Sequence, residues 1–189
     1  MLFLQKSYHE VTLQDILDTT GMSKGSFYHY FRSKEKVFEE VVGRFFFEAS
    51  HAGYESFSTE SLWAFCEDYI KMVAGRVRHY NAQTGDTTGI LRANQYLMVF
   101  DALKMFPEFR ENQRRMQERE QQAWTDIIIK ARRNKEISTV IDDHQLAKLF
   151  IHLNYGIGAS HVLRSQIEDL TRELEDQFRA FYETLKTHN

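Results

Sequence analysis

Residues 12–31 read TLQDILDTTGMSKGSFYHYF and contain two short helical patterns separated by a glycine. Thr12 is a residue type that caps helix N-termini, and the apolar Ile16 and Leu17 share one face of the two turns that follow. Gly21 stands where a residue in the left-handed conformation would end this helix. The pattern therefore predicts a short helix that stops at a tight turn.

A second short helix is predicted directly after the turn. Ser23 can cap it, and Phe27 and Phe31 are four residues apart, so both side chains face the core. Two short helices joined by a turn of three or four residues with a glycine have the spacing of a helix-turn-helix. In that motif the second helix fits the major groove of DNA.

The outer face of this second helix is polar. Lys24, Ser26, Tyr28 and His29 supply a positive charge, hydroxyls and ring donors, the groups that reach phosphates and base edges. Residues 24–36 contain four basic residues and one acidic residue, whereas the whole chain has a formal net charge of −3. The basic surface that DNA binding requires is thus local. Spacing alone also allows a helical hairpin with a solvated polar face.

The order of residues in this region resembles a known family. The sequence TLQDI…GMSKGSFYHYFRSKEKVF, within residues 12–38, is similar to the DNA-binding segment of TetR-family transcriptional regulators. The resemblance covers about residues 2–42. It implies a helix-turn-helix DNA-binding domain at residues 1–45 and a helical effector-binding and dimerisation domain at residues 46–189. It further implies a homodimeric regulator of a palindromic DNA operator, most often a repressor released by a small molecule, with no cofactor.

The resemblance also implies roles for individual residues. Thr12, Tyr28 and Lys34 correspond to phosphate contacts, and Gly25 would let the backbone approach the groove floor. Tyr30 would either bind phosphate or pack inside. The presumed reading helix carries no arginine, so the operator sequence does not follow from it. The candidate DNA-binding residues are Thr12, Gln14, Ser23, Lys24, Gly25, Ser26, Tyr28, His29, Tyr30 and Lys34.

One departure from the family concerns the first helix. The family has a full helix ahead of the motif, whereas here only LFLQK at residues 2–6 and a loop at residues 7–11 precede it. We therefore expect a first helix that is shorter by about three turns. Because that helix packs on the motif helices in the family, its truncation would affect the stability of the module.

The rest of the chain is predicted to be helical, which gives an all-α fold. Hydrophobic residues make up 42% of the 189 residues. The chain has only 9 Gly and 1 Pro, too few turn-forming residues for a sheet of many strands. Apolar periodicity predicts helices at residues 34–50, 61–80, 89–104 and 107–133. Two final helices follow polar segments with capping-box spacing at residues 142–145 and 165–168.

A pocket for an apolar or aromatic effector is expected among the middle helices. Flexible and aromatic side chains suit such ligands, and histidines on the penultimate helix, His152 and His161, are expected near the interior. For each of these residues, ordinary packing in the core is the more common role. The candidate ligand-binding residues are Trp63, Cys66, Tyr69, Met98, Phe106, Trp124, Ile128, His152 and Tyr155.

The last two helices are predicted to form the homodimer interface. Their apolar stripes are wider than one inner face requires, and GIGAS at residues 156–160 would allow close helix approach. Two such helices from each subunit would make a four-helix bundle. The alternative is that both stripes pack within one chain.

Other function classes find little support in the sequence. A di-iron bundle needs two Glu-x-x-His pairs, and only Glu48 and His51 have that spacing. Nucleophile-elbow, P-loop and dinucleotide-binding motifs are missing, so we predict no enzyme and no metal. The single cysteine and the lack of a long apolar segment indicate a cytoplasmic protein that does not enter a membrane. A ligand-independent DNA-binding factor and a helical interaction protein remain alternatives.

Overall fold

The computed structural model describes residues 2–44, 53–85, 90–164 and 169–187. Regular structure in these ranges is helical, with one isolated β-bridge between Ile137 and Lys186, which confirms the all-α prediction. A 3₁₀ turn covers Tyr54–Ser56. The α-helices are α1 (Leu2–Gln5), α2 (Leu13–Thr20), α3 (Lys24–Tyr30), α4 (Lys34–Gly43), α5 (Leu62–Thr84), α6 (Ile90–Met105), α7 (Pro107–Arg133), α8 (Asp143–Arg164) and α9 (Leu170–Leu185).

The helix bounds agree closely with the sequence pattern where the two can be compared. Pro107 opens α7 as expected, because proline fits the first turn of a helix. The cap before α8 is confirmed, since the backbone N–H of Gln145 donates to Asp142 Oδ1 at 3.0 Å. The helix predicted at residues 34–50 is present as Lys34–Gly43, and its predicted end lies outside the described residues. The cap predicted at residues 165–168 lies outside them too.

The chain divides into two compact units. The first contains Met1–His51 and Thr84–Gln113, and the second contains Ala52–Gln83 and Arg114–Asn189. One division falls between His51 and Ala52, and the other two fall within α5 and α7. The units are defined by packing alone. The boundary at residue 45 between a DNA-binding and an effector-binding domain therefore stays a prediction.

The first unit is held together by an aromatic cluster around α4. The ring of Phe38, which is fully buried, lies 5.0 Å from Phe3, 4.8 Å from Tyr8 and 6.0 Å from Phe106 between centroids. The short α1 is also tied to α6, because Asn94 Nδ2 donates to the carbonyl of Leu4 at 2.7 Å. These contacts anchor a first helix of only four residues.

The second unit has its core around Trp124 of α7, which is fully buried. Phe150 of α8 stacks on the indole at 4.8 Å with the ring planes 9° apart. Phe65 and Tyr69 of α5 and Phe178 of α9 meet the same indole at 4.8, 5.1 and 5.7 Å. One side chain therefore joins the four long helices of this unit.

A carboxylate from the α7–α8 connection caps α5. Both oxygens of Glu136 accept from the backbone N–H of Leu62, at 2.9 and 3.0 Å, and Tyr182 Oη of α9 donates to the same carboxylate at 2.9 Å. A negative charge at a helix N-terminus is favourable because the first N–H groups lack partners within the helix. Glu136 therefore joins the ends of α5 and α9.

Gly21 ends α2 with a φ of +69°, in the left-handed region. A Cβ at this position would meet no atom within 4 Å, so the cost of a side chain is conformational rather than steric. We expect Gly21→Ala to lower the free energy of unfolding by about 1 kcal/mol. Chemical denaturation followed by circular dichroism would measure it. Gly25→Ala is the matched control, and an equal loss in both variants would contradict the left-handed requirement.

Candidate functional site

The helix-turn-helix is formed by α2 and α3, and its ends are capped as the sequence predicts. Thr12 and Asp15 form a capping box, in which Asp15 N–H donates to Thr12 Oγ1 at 3.1 Å and Thr12 N–H donates to Asp15 Oδ2 at 2.7 Å. Ser23 Oγ accepts from the N–H of Ser26 at 3.1 Å at the start of α3. Phe27, with 1% of its surface exposed, fixes the inner face of α3. The motif is therefore a packed unit with a defined outer face.

The outer face of α3 consists of the side chains expected there. Lys24, Tyr28, His29 and Tyr30 are exposed, and Ser26 is half-buried. Tyr30 is 71% exposed, which shows that it does not pack inside. Gln14 lies exposed on α2, where its Nε2 donates to Asp18 Oδ1 at 2.7 Å. Hydroxyls, an ammonium, an imidazole and an amide are thus available to an outside partner.

Gly25 has no packing role within the protein. A Cβ at this position would meet only Ser23 Oγ, at 4.0 Å, and its φ is not in the left-handed region. The missing side chain therefore leaves the first turn of α3 open to close approach from outside.

Lys34 has an internal role that neither its position nor the resemblance indicates. Its Nζ donates to the carbonyls of Tyr8 at 2.9 Å and Val11 at 2.8 Å, and it lies 4.2 Å from the centre of the Tyr8 ring. Glu35 accepts from Tyr8 Oη at 2.8 Å. We call Tyr8, Val11, Lys34 and Glu35 the Tyr8 clamp. Burial, the bond to Glu35 and its charge raise the pKa of Tyr8 to about 12.

The Tyr8 clamp limits how many N–H groups of Lys34 can contact an outside partner. Two of the three N–H groups of the Lys34 ammonium are occupied by carbonyls, and Lys36 pairs with Glu39. Among the residues that the structure describes, Lys24 and Arg32 form no ion pair. These two cations and the Lys34 ammonium, which keeps its charge, supply the local positive charge, and a phosphate contact from Lys34 stays a prediction.

The hydrogen bonds and charge of Lys6 and the bonds from Thr12 hold the pKa of Asp15 well below its usual range. Lys6 Nζ donates to Asp15 Oδ1 at 2.8 Å, which links the segment after α1 to the first turn of α2. The carboxylate therefore stays charged at neutral pH at the N-terminus of α2, where a negative charge is favourable.

The predicted effector residues are divided between the two units. Met98 and Phe106 belong to the core of the first unit, while the remaining seven lie in the second. Phe106 also lines an open cleft of about 470 Å³ in the first unit, together with Phe109, three glutamates and Arg44. The nine candidates therefore do not share one core.

Most of the candidates in the second unit have structural roles. Cys66, Trp124 and Ile128 are fully buried in its core, and burial raises the pKa of the Cys66 thiol. Trp63 is half-buried, with the guanidinium of Arg179 at 4.1 Å from its ring centre. These four side chains lie in the core of the second unit or pack against it, and their contact with a ligand stays a prediction.

The predicted interior position of His152 is wrong. Its side chain is exposed, because the inner face of α8 runs through Phe150, Ile157 and His161. His161 is buried as expected, and its Nε2 lies 2.7 Å from Glu173 Oε2. The apolar periodicity of α8 predicts the helix, but it does not predict which of its polar side chains face the interior.

Two of the candidates meet at a residue that the sequence reading missed. Tyr69 Oη donates to Glu120 Oε1 and Tyr155 Oη donates to Glu120 Oε2, each at 2.6 Å, and Asn154 Nδ2 donates to Tyr69 Oη at 3.0 Å. Glu120 is only 6% exposed. It stands four residues before Trp124, on the apolar side of α7, and that spacing is the signal that could have revealed it.

The helices expected to form the dimer differ in what they leave exposed. The apolar stripe of α9 packs within its own chain, since Leu170, Leu174, Phe178, Tyr182 and Leu185 are all buried. On α8, by contrast, Leu149 is 41% and Leu163 86% exposed, and a Cβ on Gly156 would meet nothing within 4 Å. An apolar surface on α8 is thus available for contact with another molecule.

Two further observations concern the described residues only. None of their helices is long and apolar enough to cross a membrane. Nor do any three histidine, cysteine, aspartate or glutamate side chains in these ranges lie together as metal ligands would.

Comparison with known proteins places the N-terminal segment in a family. Residues 1–41 match the family model described as bacterial regulatory proteins, tetR family. Over 44 residues, 23% of the chain, the sequence is 41% identical to the HTH-type transcriptional repressor KstR2 of Mycolicibacterium smegmatis. Over 69 residues, 36% of the chain, it is 28% identical to YfiR of Bacillus subtilis, an uncharacterised HTH-type transcriptional regulator. The matches span 22% and 34% of these relatives.

The fold is similar to solved regulators along nearly the whole chain. A transcriptional regulator from Saccharomonospora viridis, in complex with choline, matches with a TM-score of 0.64 and 16% identity over 99% of this chain and 93% of its own. A transcriptional regulator from Cytophaga hutchinsonii matches with a TM-score of 0.58 and 22% identity over 98% and 93%. Residues 1–41, with their capped helix-turn-helix, therefore match the TetR family of bacterial regulatory proteins, and the chain as a whole has a fold similar to that of solved transcriptional regulators.

Proposed function

We propose that the protein is a transcriptional regulator that binds a specific DNA sequence through α2 and α3. The observation that carries this function is the outer face of α3, where Lys24, Tyr28 and His29 are exposed on a helix that Phe27 and the Ser23 cap hold in place. Lys24 and Arg32 supply the positive charge that attracts the phosphate backbone. A DNA target also makes the cytoplasm the expected location.

The proposed functional form is a homodimer on a palindromic operator. The exposed Leu149 and Leu163 of α8 support it, because a second copy would bury them. Two recognition helices related by a two-fold axis would read half-sites about 34–36 Å apart. Analytical ultracentrifugation of the chain and of Leu163→Glu would test the interface.

Regulation by a small apolar or aromatic molecule that releases the DNA is a further part of the proposal. The similar fold solved in complex with choline supports a small-molecule effector. Repression rather than activation is favoured because KstR2, which is similar over 44 residues, is a repressor. The domain that would hold the effector, residues 46–189, includes all of the second compact unit.

The experiment that tests DNA binding is the salt dependence of duplex affinity. Fluorescence anisotropy with a labelled random-sequence duplex should show a Kd that rises steeply between about 50 and 200 mM salt, because counterions are released from the phosphates. Lys24→Met with Arg32→Met should flatten this dependence. A signal that is independent of salt would contradict the proposal.

Single substitutions should separate contacts to bases from contacts to phosphate. Tyr28→Phe removes one exposed hydroxyl and should weaken binding to all duplexes by less than about tenfold. Lys24→Ala and Gln14→Ala should instead change which sequences are preferred, each by about 1–3 kcal/mol at the affected base pair. Competition between sequence variants would measure this preference. Equal effects on all duplexes in all three variants would refute these roles.

A further inference from the structure

We propose that Glu120 and the tyrosines around it form a binding site for a small organic cation with an ammonium group. The site consists of Tyr54, Tyr69, Glu120 and Tyr155, all in the second compact unit, and we call it the Glu120 site. This inference rests on the proposed function only in that the ligand would be the effector, and it replaces the apolar or aromatic effector given there by an organic cation.

The first argument is the charge balance of Glu120. Its side chain is 94% removed from solvent, and its two oxygens accept hydrogen bonds from two tyrosine hydroxyls rather than from a cation. Within the described part of the chain, Glu120 forms no ion pair. A buried carboxylate without a positive partner is costly, and a bound cation would remove that cost.

The second argument is the aromatic surroundings. Burial raises the pKa of the Tyr54, Tyr69 and Tyr155 hydroxyls, and the negative charge of Glu120 raises them further. The three hydroxyls therefore stay neutral, and those of Tyr69 and Tyr155 donate to the carboxylate. The Tyr69 ring packs on Trp124 and Phe178, so Tyr54 and Tyr155 supply the rings for a cation–π interaction. Tyrosine is among the residues that recognise quaternary ammonium ligands.

The third argument is access from solvent. Tyr155 is 45% exposed and Tyr54 is half-buried, so the carboxylate lies behind rings that reach the surface. Rotation of an exposed ring takes nanoseconds or less and does not require a helix to move. Rotation of the Tyr155 ring, which would break its hydrogen bond to Glu120, is therefore the movement that would admit a cation to the carboxylate.

Arg76 is the nearby positive group that the ligand would meet. Burial and Glu120 raise the pKa of Tyr54 and of Tyr155, and the charge of Arg76 offsets a smaller part of that rise. The Arg76 side chain is exposed on α5. It therefore offsets part of the Glu120 charge from a distance. Removing Arg76 should strengthen the attraction for a cation, whereas removing Glu120 should abolish it.

Isothermal titration calorimetry of the full chain without DNA would test the site. The probes are tetramethylammonium, choline and the neutral carbon analogue of choline, in which a tert-butyl group replaces the trimethylammonium. The variants are Glu120→Gln, Arg76→Gln and, as the matched control, Glu118→Gln, which removes a 58% exposed carboxylate from the same helix. Thermal unfolding of each variant would confirm that it is folded.

The Glu120 site predicts that choline binds at least about tenfold more tightly than its neutral analogue. Glu120→Gln should lose this preference, Glu118→Gln should keep it and Arg76→Gln should increase it. Equal binding of choline and the analogue, or no binding of either ammonium probe at millimolar concentration, would overturn the proposal. If Glu120→Gln fails to fold, Arg76→Gln still tests the proposal. Unchanged or weaker choline binding by Arg76→Gln would overturn the Glu120 site.

Duplex binding is measured separately, so the two proposals can fail independently. A protein that binds DNA but no ammonium probe would disprove the Glu120 site alone. A protein that binds choline but no duplex would disprove DNA binding and leave the cation site standing.

Discussion

Replacing Phe38 by alanine should lower the free energy of unfolding of the first compact unit by about 3–5 kcal/mol. The ring is fully buried, and it contacts Phe3, Tyr8 and Phe106, so its loss leaves a cavity between α1, the loop after it, α4 and the end of α6. A domain of this size is stabilised by about 5–15 kcal/mol in total. We therefore expect duplex binding to be lost at temperatures where the unmodified chain still binds.

Urea denaturation followed by circular dichroism would measure the change, with anisotropy for DNA binding. Phe38→Leu is the matched control, because it keeps most of the volume and should cost less than about 1.5 kcal/mol. A Phe38→Ala chain as stable as the unmodified one would show that the aromatic cluster does not hold the first unit together.

Replacing Lys34 by methionine should also destabilise the first unit, by about 1–3 kcal/mol. The substitution removes the donor that satisfies the carbonyls of Tyr8 and Val11, while most of the aliphatic length is kept. Those carbonyls belong to the loop that leads into the Thr12 cap. The loss should therefore reduce the affinity for every duplex through misplacement of α2.

The salt dependence of DNA binding separates this role from a direct phosphate contact. If Lys34 neutralised a phosphate, Lys34→Met would lower the slope of log Kd against log salt by about one. Two of its three N–H groups are bound within the protein, which leaves the charge and one N–H for the predicted phosphate contact, so the slope reports that contact and the stability reports the internal role. Lys24→Met, at an exposed residue, is the stability control and should change unfolding by less than about 0.5 kcal/mol. A smaller slope with unchanged stability for Lys34→Met would contradict the claim that the Tyr8 clamp stabilises the first unit.

Local chemistry made the helix-turn-helix predictable. The caps at Thr12 and Ser23 and the left-handed Gly21 depend on residues three or four positions apart, so they can be read directly from the sequence. The same holds for Pro107 at the start of α7. The Tyr8 clamp could not be predicted in this way. The partners of Lys34 are backbone carbonyls 26 and 23 residues earlier, and no side-chain pattern marks them.

The Glu120 site shows the same limit at longer range. Tyr69 and Tyr155 are 51 and 35 residues from Glu120, and both were expected to line a pocket for aromatic or apolar groups. Glu120 does not stand out in the sequence, because it lies in a strongly polar stretch of α7. Its spacing to Trp124 is the feature that distinguishes it from the other polar residues there. Helical periodicity identifies which face is buried, but not which polar group the packing of distant helices encloses.

The central claim, that α3 reads a specific DNA sequence, is tested most directly by selecting bound duplexes from a random pool at about physiological salt, with a parallel selection at higher salt. The structure and the proposed dimer predict enrichment of a palindrome whose half-sites lie about one helical turn apart. Lys24→Ala should alter the enriched sequence. Recovery of no preferred sequence by a chain shown to be folded and dimeric would contradict the claim.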